Sequence, residues 1–400
     1  MANYKNMRDS GVKWIGYAPS HWEILSARKS FVQSFEKGNT TPILLSASQK
    51  YGMCPQENLE GTVKVSEKVN LQDFKTVHKN DFVISLRSFQ GGFERSDFEG
   101  VCSPAYQVFR AVRNYNNDYL KWLFKNSMFI EEINSITLGI REGKNIKYED
   151  FTKVLLPVPP LAEQTAIAKY LDKVCAQIDD IIEETKKSAE DYKKLRLSAI
   201  SEAVTGGLDK NAEMKDSGVE WIGKVPKGWK ITRIKNVIKI ENGSDPKNEG
   251  KIPVYGSGSE SFKTCGEYKE GPTVLLGRKG ATLHIPHYIE GRYWNVDTAF
   301  NTIVINDLID LKYFYYLSFC FDYNSYMSQT TLPSMTQSNY SAMNIPYPPM
   351  NEQKAIAEYL DKKCAAIDEI IAEKENLITD LELYKKSLIY ETVTGKRKAV

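Results

Sequence analysis

Residues 156–183, LPVPPLAEQTAIAKYLDKVCAQIDDIIE, return at 345–372 as IPYPPMNEQKAIAEYLDKKCAAIDEIIA, with 18 of 28 positions identical at an offset of 189. Repetition on this scale decides the architecture before composition is considered. A second pair stands upstream of each copy: MRDSGVKWIGYAPSHWEI at 7–24 and MKDSGVEWIGKVPKGWKI at 214–231 share 11 of 18 positions at an offset of 207. The offset of 189 holds again at Val204-Thr205-Gly206 and Val393-Thr394-Gly395. Between the matched blocks, 25–155 and 232–344 have little in common, so two different globules are mounted on two copies of one frame.

The repeated block reads as the start of a long helix. After Pro159-Pro160, apolar or small residues recur in steps of four and three: Ile167, Leu171, Val174, Ile178, Ile181, then Thr185, Ser188, Tyr192, Leu195 and Ala199. That 3.5-residue spacing is a coiled-coil seam, and a helix of about 45 residues at 1.5 Å each is roughly 65–70 Å long. The second copy continues it through Ile356, Leu360, Ile367, Ile370, Leu377, Leu381, Tyr384 and Leu388. Thr-Gly at 205–206 and 394–395 supplies the stop. The seam is polar at Thr185 and Ser188, opposite Lys374 of the second copy. A lone stripe of this length needs a partner, and the other copy is the obvious one.

These features predict an α+β protein: two globules joined by two long antiparallel coiled-coil helices, with a pseudo-two-fold internal repeat and one globule at each end of the rod. The expected segments are a first globule over 1–157, a first helix over 158–207, a second globule over 208–346 and a second helix over 347–400. Within the globules, Asp81–Leu86 and Thr273–Gly277 read as strands, and Asp118–Asn126 and Leu308–Phe321 as helices.

The chain has 400 residues and a formal net charge of +2. A balance so near neutral argues at first against a nucleic-acid partner, which needs a positive footprint. By segment the charge is +4 over 1–155, −3 over 156–213, +2 over 214–344 and −1 over 345–400, so basic surplus falls in the globules and acidic surplus on the helices. Six scattered cysteines without C-x-x-C spacing read as reduced thiols. With no apolar run of about 18 residues and no apolar signal core at the N-terminus, a cytoplasmic protein is expected.

Catalytic signatures are missing. A base methyltransferase needs a Pro-Pro dipeptide preceded by Asn or Asp, but Pro159-Pro160 follows Val158 and Pro348-Pro349 follows Tyr347. Gly277-Arg278-Lys279-Gly280 is not a phosphate loop, because Lys precedes Gly and no Ser or Thr follows it there. His284 and His287 lack the supporting Glu of a zinc helix, so neither catalytic nor metal residues are expected.

Each globule does carry loops suited to reading bases. Arg87, Ser88, Gln90 and Arg95 surround two glycines after the first strand, and Arg278, Lys279, Thr282 and His284 follow the second, with Arg292 beyond. Arginine can donate twice to guanine, and glutamine can both donate to and accept from adenine. A later polar loop precedes each helix, with Arg141, Lys144 and Asn145 in the first and Ser334, Thr336, Gln337 and Ser338 in the second. All sixteen are candidate DNA contacts.

With paired D-S-G-V-x-W-I-G-x-x-P lead-ins, paired P-x-P-P-x-x-E-Q-x-A-I-A-x-Y-L-D blocks and two dissimilar globules in one order, the chain resembles the specificity subunit of a type I restriction-modification enzyme over essentially its whole length. The resemblance implies two target recognition domains, each reading half of a bipartite DNA site, on helices that set the gap. It implies a chain without catalytic activity or bound cofactor, two methyltransferase subunits that use S-adenosylmethionine, and restriction subunits that use ATP and Mg. Glu163, Gln164, Glu352 and Gln353 match the regions implicated in holding the methyltransferases. The alternative is a coiled-coil adaptor that scaffolds partners without reading bases.

Overall fold

A computed structural model describes residues 4–38, 43–48, 51–59, 71–85, 92–136, 146–258, 260–328 and 333–399. It divides into two compact units, Met1–Glu184 with Leu377–Val400, and Thr185–Asn376. Each unit therefore combines one lead-in, one globule, part of the helix that follows that globule and part of the other long helix.

The long helices are Leu161–Gly206 and Met350–Val393, each starting just after its Pro-Pro pair. Within each unit the two helical segments run antiparallel. In the first unit Asp179 meets Lys385 at 2.6 Å, while Ile178 and Ile182 pack in one core with Leu388 and Ile389. In the second, Arg196 meets Asp368 at 2.9 Å and Lys193 meets Glu375 at 3.3 Å.

The seam keeps its 3.5-residue spacing and holds Leu171 and Ile178 as expected, but alternate positions beyond Leu171 fall one residue later. Ile182 is 7% exposed and Ile181 47%, and Cys175, Ala189 and Ile200 are buried whereas Leu195 faces solvent. In the second helix Ile371 and Leu388 are buried while Leu377 and Tyr384 are exposed. Ala189 thus takes the place expected for Ser188, and Lys374 lies over the Tyr192 ring, 5.4 Å from its centroid. A cation on an aromatic face is a favourable contact worth about 0.5–1 kcal/mol where solvent reaches it. The first helix also runs one residue past its expected stop: Gly206 is still helical, and Gly207 at φ +76° ends it, as Gly395 at φ +75° terminates the second.

The lead-ins fold identically. Asp9 accepts from the Gly11 amide at 2.9 Å and Asp216 from Gly218 at 2.8 Å, while the Ser10 and Ser217 amides donate to Gly16 and Gly223 at 3.0 Å. Trp22 and Trp229 are both buried under these turns.

The globules, dissimilar in sequence, share a four-stranded antiparallel sheet. In the first the strand order is Phe31–Ser34, Gln107–Ala111, Phe82–Ile84, Phe93–Arg95, and in the second Ile238–Asn242, Ala299–Val304, Thr273–Gly277, His287–Ile289. Helices Asn117–Phe124 and Leu311–Ser318 lie where sequence placed them. The first core is a phenylalanine cluster, with Phe109 and Phe151 ring centroids 4.9 Å apart. The second buries Phe300, Tyr313, Phe314 and Tyr340 instead. A further sheet, Lys263–Cys265, Ile252–Tyr255, Arg292–Asn295 and Lys269–Glu270, belongs to the second globule alone among the described residues.

Candidate nucleic-acid interface and the joint that carries it

Each globule is seated on its helix by the same set of bonds. In the first unit Gln164 is buried, donates to the Pro159 carbonyl at 2.8 Å and accepts the Asn116 amide at 2.9 Å. Asn116 in turn caps helix Asn117–Phe124 through the Asp118 and Tyr119 amides, both at 3.0 Å. The fully buried Tyr119 hydroxyl lies 2.9 Å from the Pro157 carbonyl and 3.3 Å from that of Val393. Asp172 accepts from Lys121 and from Trp122 Nε1, each at 2.9 Å.

In the second unit Gln353 donates to Pro348 at 2.9 Å and accepts the Asp310 amide at 2.8 Å. Asp310 caps Leu311–Ser318 through the Tyr313 amide at 2.9 Å. Tyr313 reaches the carbonyls of Val204 at 3.1 Å and Pro346 at 3.2 Å, and Asp361 accepts from Lys312 at 2.6 Å and Tyr316 at 2.7 Å. Burial pushes the Tyr119 and Tyr313 hydroxyls far above the ordinary phenol range, so both remain protonated donors.

The E-Q-x-A-I-A-x-Y-L-D block is therefore a joint. Gln164 and Gln353, expected to meet partner proteins, are both buried with their amide groups committed inside the fold. Glu163 pairs with Tyr4 Oη and His21 Nε2 at 2.7 Å and accepts from Trp22 Nε1 at 3.0 Å. Burial raises its carboxyl, and the Tyr4, His21 and Trp22 bonds outweigh that and hold it below the usual range. Glu352 accepts from Trp229 Nε1 at 2.8 Å.

In the second globule the two expected loops come together. The Gly280 amide donates to Pro333 at 3.1 Å, the Met335 amide to Arg278 at 2.9 Å, and Lys279 forms a bridge with Ser334. At Gly277 only glycine fits, because a Cβ would fall 2.3 Å from Leu283 Cα. Arg278 donates to the Asp297 carbonyl at 3.2 Å, Lys279 is loosely paired with the Asp297 carboxylate at 3.9 Å, and Thr282 donates to Ser257 at 2.8 Å. His284 is exposed at the rim beside Tyr323. This clusters two cations and several hydroxyls at one end of the core sheet. Ser257, Asp297 and Ser328 join them and were missed in sequence, Ser257 and Asp297 because they lie outside both loops and Ser328 because it stands just before the second.

Other candidates are committed to structure. Thr336 caps helix Gln337–Ala342 through the Asn339 amide at 3.1 Å and meets Ser338 Oγ at 2.9 Å, Gln337 donates to the Ile240 carbonyl, and Ser334 meets Ser328 at 2.6 Å. Arg292 sits on the other sheet, paired with Glu270 at 3.0 Å and stacked on Tyr268, so it does not join the cluster. In the first globule Arg95, a candidate DNA contact, is clasped between Asp97 and Asp118 with 14% of its side chain exposed. Arg87, Ser88, Gln90, Arg141, Lys144 and Asn145 lie outside the described residues.

The model of the type I restriction-modification DNA specificity domain matches residues 22–221 and again 226–380. The chain belongs to this family. As a type I DNA specificity protein, its function is sequence discrimination on DNA. It is 25% identical over 315 residues to a putative type I restriction enzyme MjaX specificity subunit of Methanocaldococcus jannaschii, covering 73% of this chain and 68% of that one. The EcoKI specificity subunit of Escherichia coli K12 is 31% identical over 111 residues, 28% of this chain and 22% of that one. A chain from a type I restriction-modification system, solved for its complex assembly and conformational transition, superposes with TM-score 0.74 at 15% identity over 95% of this chain and 99% of its own length. The HsdS subunit of Thermoanaerobacter tengcongensis gives 0.55 at 15% identity, over 95% and 98%. These two likenesses establish the specificity-protein fold. Among the described residues no helix is long and apolar enough to cross a membrane.

Proposed function

We propose that each globule of this specificity subunit reads one half of a bipartite DNA target, and that the long helices hold the readers and dock two methyltransferase subunits. The observation that carries this is the repeated joint: equivalent capped-helix, glutamine and tyrosine bonds seat two globules whose loop sequences differ. A common mount with unlike loops is what two independent half-sites require. The second globule offers Arg278 and Lys279 for guanine or phosphate, with Thr282 and His284 beside them. The subunit contributes no catalytic group; S-adenosylmethionine, and ATP with Mg, belong to methyltransferase and restriction partners in the cytoplasm. Weak positive charge on the globules fits a reader whose partners supply much of the phosphate grip.

Methylome sequencing tests the reading. A methylation-deficient host carrying this chain and its cognate methyltransferase gains adenine methylation at one split sequence, and exchanging residues 25–155 changes one half only. Methylation at the same sites without this chain, or at a continuous site, refutes it.

A further inference from the structure

The two joints differ at one place. In the first unit the Glu163 carboxylate is covered by Tyr4 and His21 of the chain's own lead-in, the Tyr4 ring standing edge-on to Trp22 at 5.7 Å and 75°. The 207-residue offset puts Asn211 and Gly228 in the positions of Tyr4 and His21. Trp229 is then the one side chain bonded to Glu352 among the described residues. In place of the phenol and imidazole a cavity of about 350 Å³ opens over Glu352, walled by Gly207, Leu208, Pro226, Trp229 and Ile356. A Cβ built on Gly228 meets nothing within 4 Å, so the chain leaves this space unfilled. Its volume lies within the range of small ligand pockets, about 300–1,000 Å³.

We propose that this cavity is a socket for a tyrosine side chain of the methyltransferase subunit that docks on the second unit. The phenol donates to Glu352 and the ring stands against Trp229, as Tyr4 does against Trp22. This rests on the proposed methyltransferase assembly. The chemistry is set by the sister joint: a carboxylate beside an indole, already shown in this chain to take a phenol. A phenol bonded to a charged acceptor is among the stronger side-chain contacts. Because the first unit fills its own socket, the two docking positions are unequal, and the second holds its methyltransferase by a contact the first lacks.

The test fills the socket. Gly228→His, alone and with Asn211→Tyr, rebuilds the plug of the first unit in the full-length chain, and the methyltransferase subunit is titrated by calorimetry and native mass spectrometry. Wild type is expected to bind two methyltransferases with distinct affinities; the filled variants lose at least tenfold at one site, with melting temperature unchanged or raised. Glu352→Gln, which keeps an acceptor for Trp229 but removes the charge, weakens the same site and decides the matter if the filled chain is destabilised. Two sites of unaltered affinity in a folded Gly228→His chain, or in Glu352→Gln, overturn the socket and leave the specificity role standing. A wild-type chain that binds no methyltransferase overturns both.

Discussion

Replacing Gln353 by leucine tests whether the E-Q block is a joint. Gln353 is 1% exposed, and its amide holds two main-chain groups, the Pro348 carbonyl at 2.9 Å and the Asp310 amide at 2.8 Å. Leucine matches the volume but leaves both groups without their partner. An orphaned buried donor or acceptor costs about 1–3 kcal/mol, so the pair predicts roughly 2–6 kcal/mol, concentrated where Asp310 starts helix Leu311–Ser318. Hydrogen exchange by mass spectrometry gives the local reading: protection of 311–318 should fall by 30-fold or more, while 117–124 keeps wild-type rates. Gln164→Leu should give the mirror result, exposing 117–124 and sparing 311–318, because Gln164 makes the same two bonds. A loss below about 0.5 kcal/mol in both variants, or equal loosening of both helices by either one, would refute the joint.

Four further outcomes follow from named contacts. Burial pushes the Glu94 carboxyl up to about 7 despite Lys125, so between about pH 4.5 and 7 the unfolded chain releases a proton the folded chain keeps. Stability on this account falls as pH rises through that window, by at most about 3 kcal/mol; Glu94→Gln should melt higher than wild type at pH 8 and nearly with it at pH 4, and an advantage independent of pH sinks the idea. Arg95→Ala should lower the melting temperature without altering the methylated sequence, since Asp97 and Asp118 hold that side chain. Arg278→Ala should leave melting alone and weaken target binding by about 1–3 kcal/mol, read by fluorescence anisotropy. Gly395→Ala should destabilise more than Gly207→Ala in thermal melts: both glycines have positive φ, but the new Cβ lies 2.3 Å from Pro19 Cδ in one case and 3.1 Å from the Trp229 ring in the other.

The frame was legible because repetition within one chain needs no partner to interpret it: both long helices, both lead-ins and the order of segments follow from 18 and 11 identities. Seam phase was not. Ile181 and Ile182 are adjacent and equally apolar, so spacing alone admits either, and packing beside Leu388 and Ile389 buries the second. The shared sheet of the globules was hidden, since a Phe-rich core and a Tyr-rich one satisfy the same strand order with different side chains. The capture of Arg95 by Asp118 was not legible, because 23 residues separate them in sequence. The identity of Gln164 and Gln353 across copies reported a recurring geometry but not whether that geometry faced inward or outward.

The joint asks little of the globule it holds. Most of its anchor points are main-chain carbonyls of the frame, at Pro157, Val393, Pro346 and Val204, and the globule answers them with one tyrosine behind one capping residue, Asn116 or Asp310. A recombining gene segment that keeps those two positions in register can therefore bring in an otherwise foreign domain and have it seated correctly in a single event. Diversity of specificity would then arise in whole-cassette jumps, with the mount as the inherited constant and the reader as the exchangeable part.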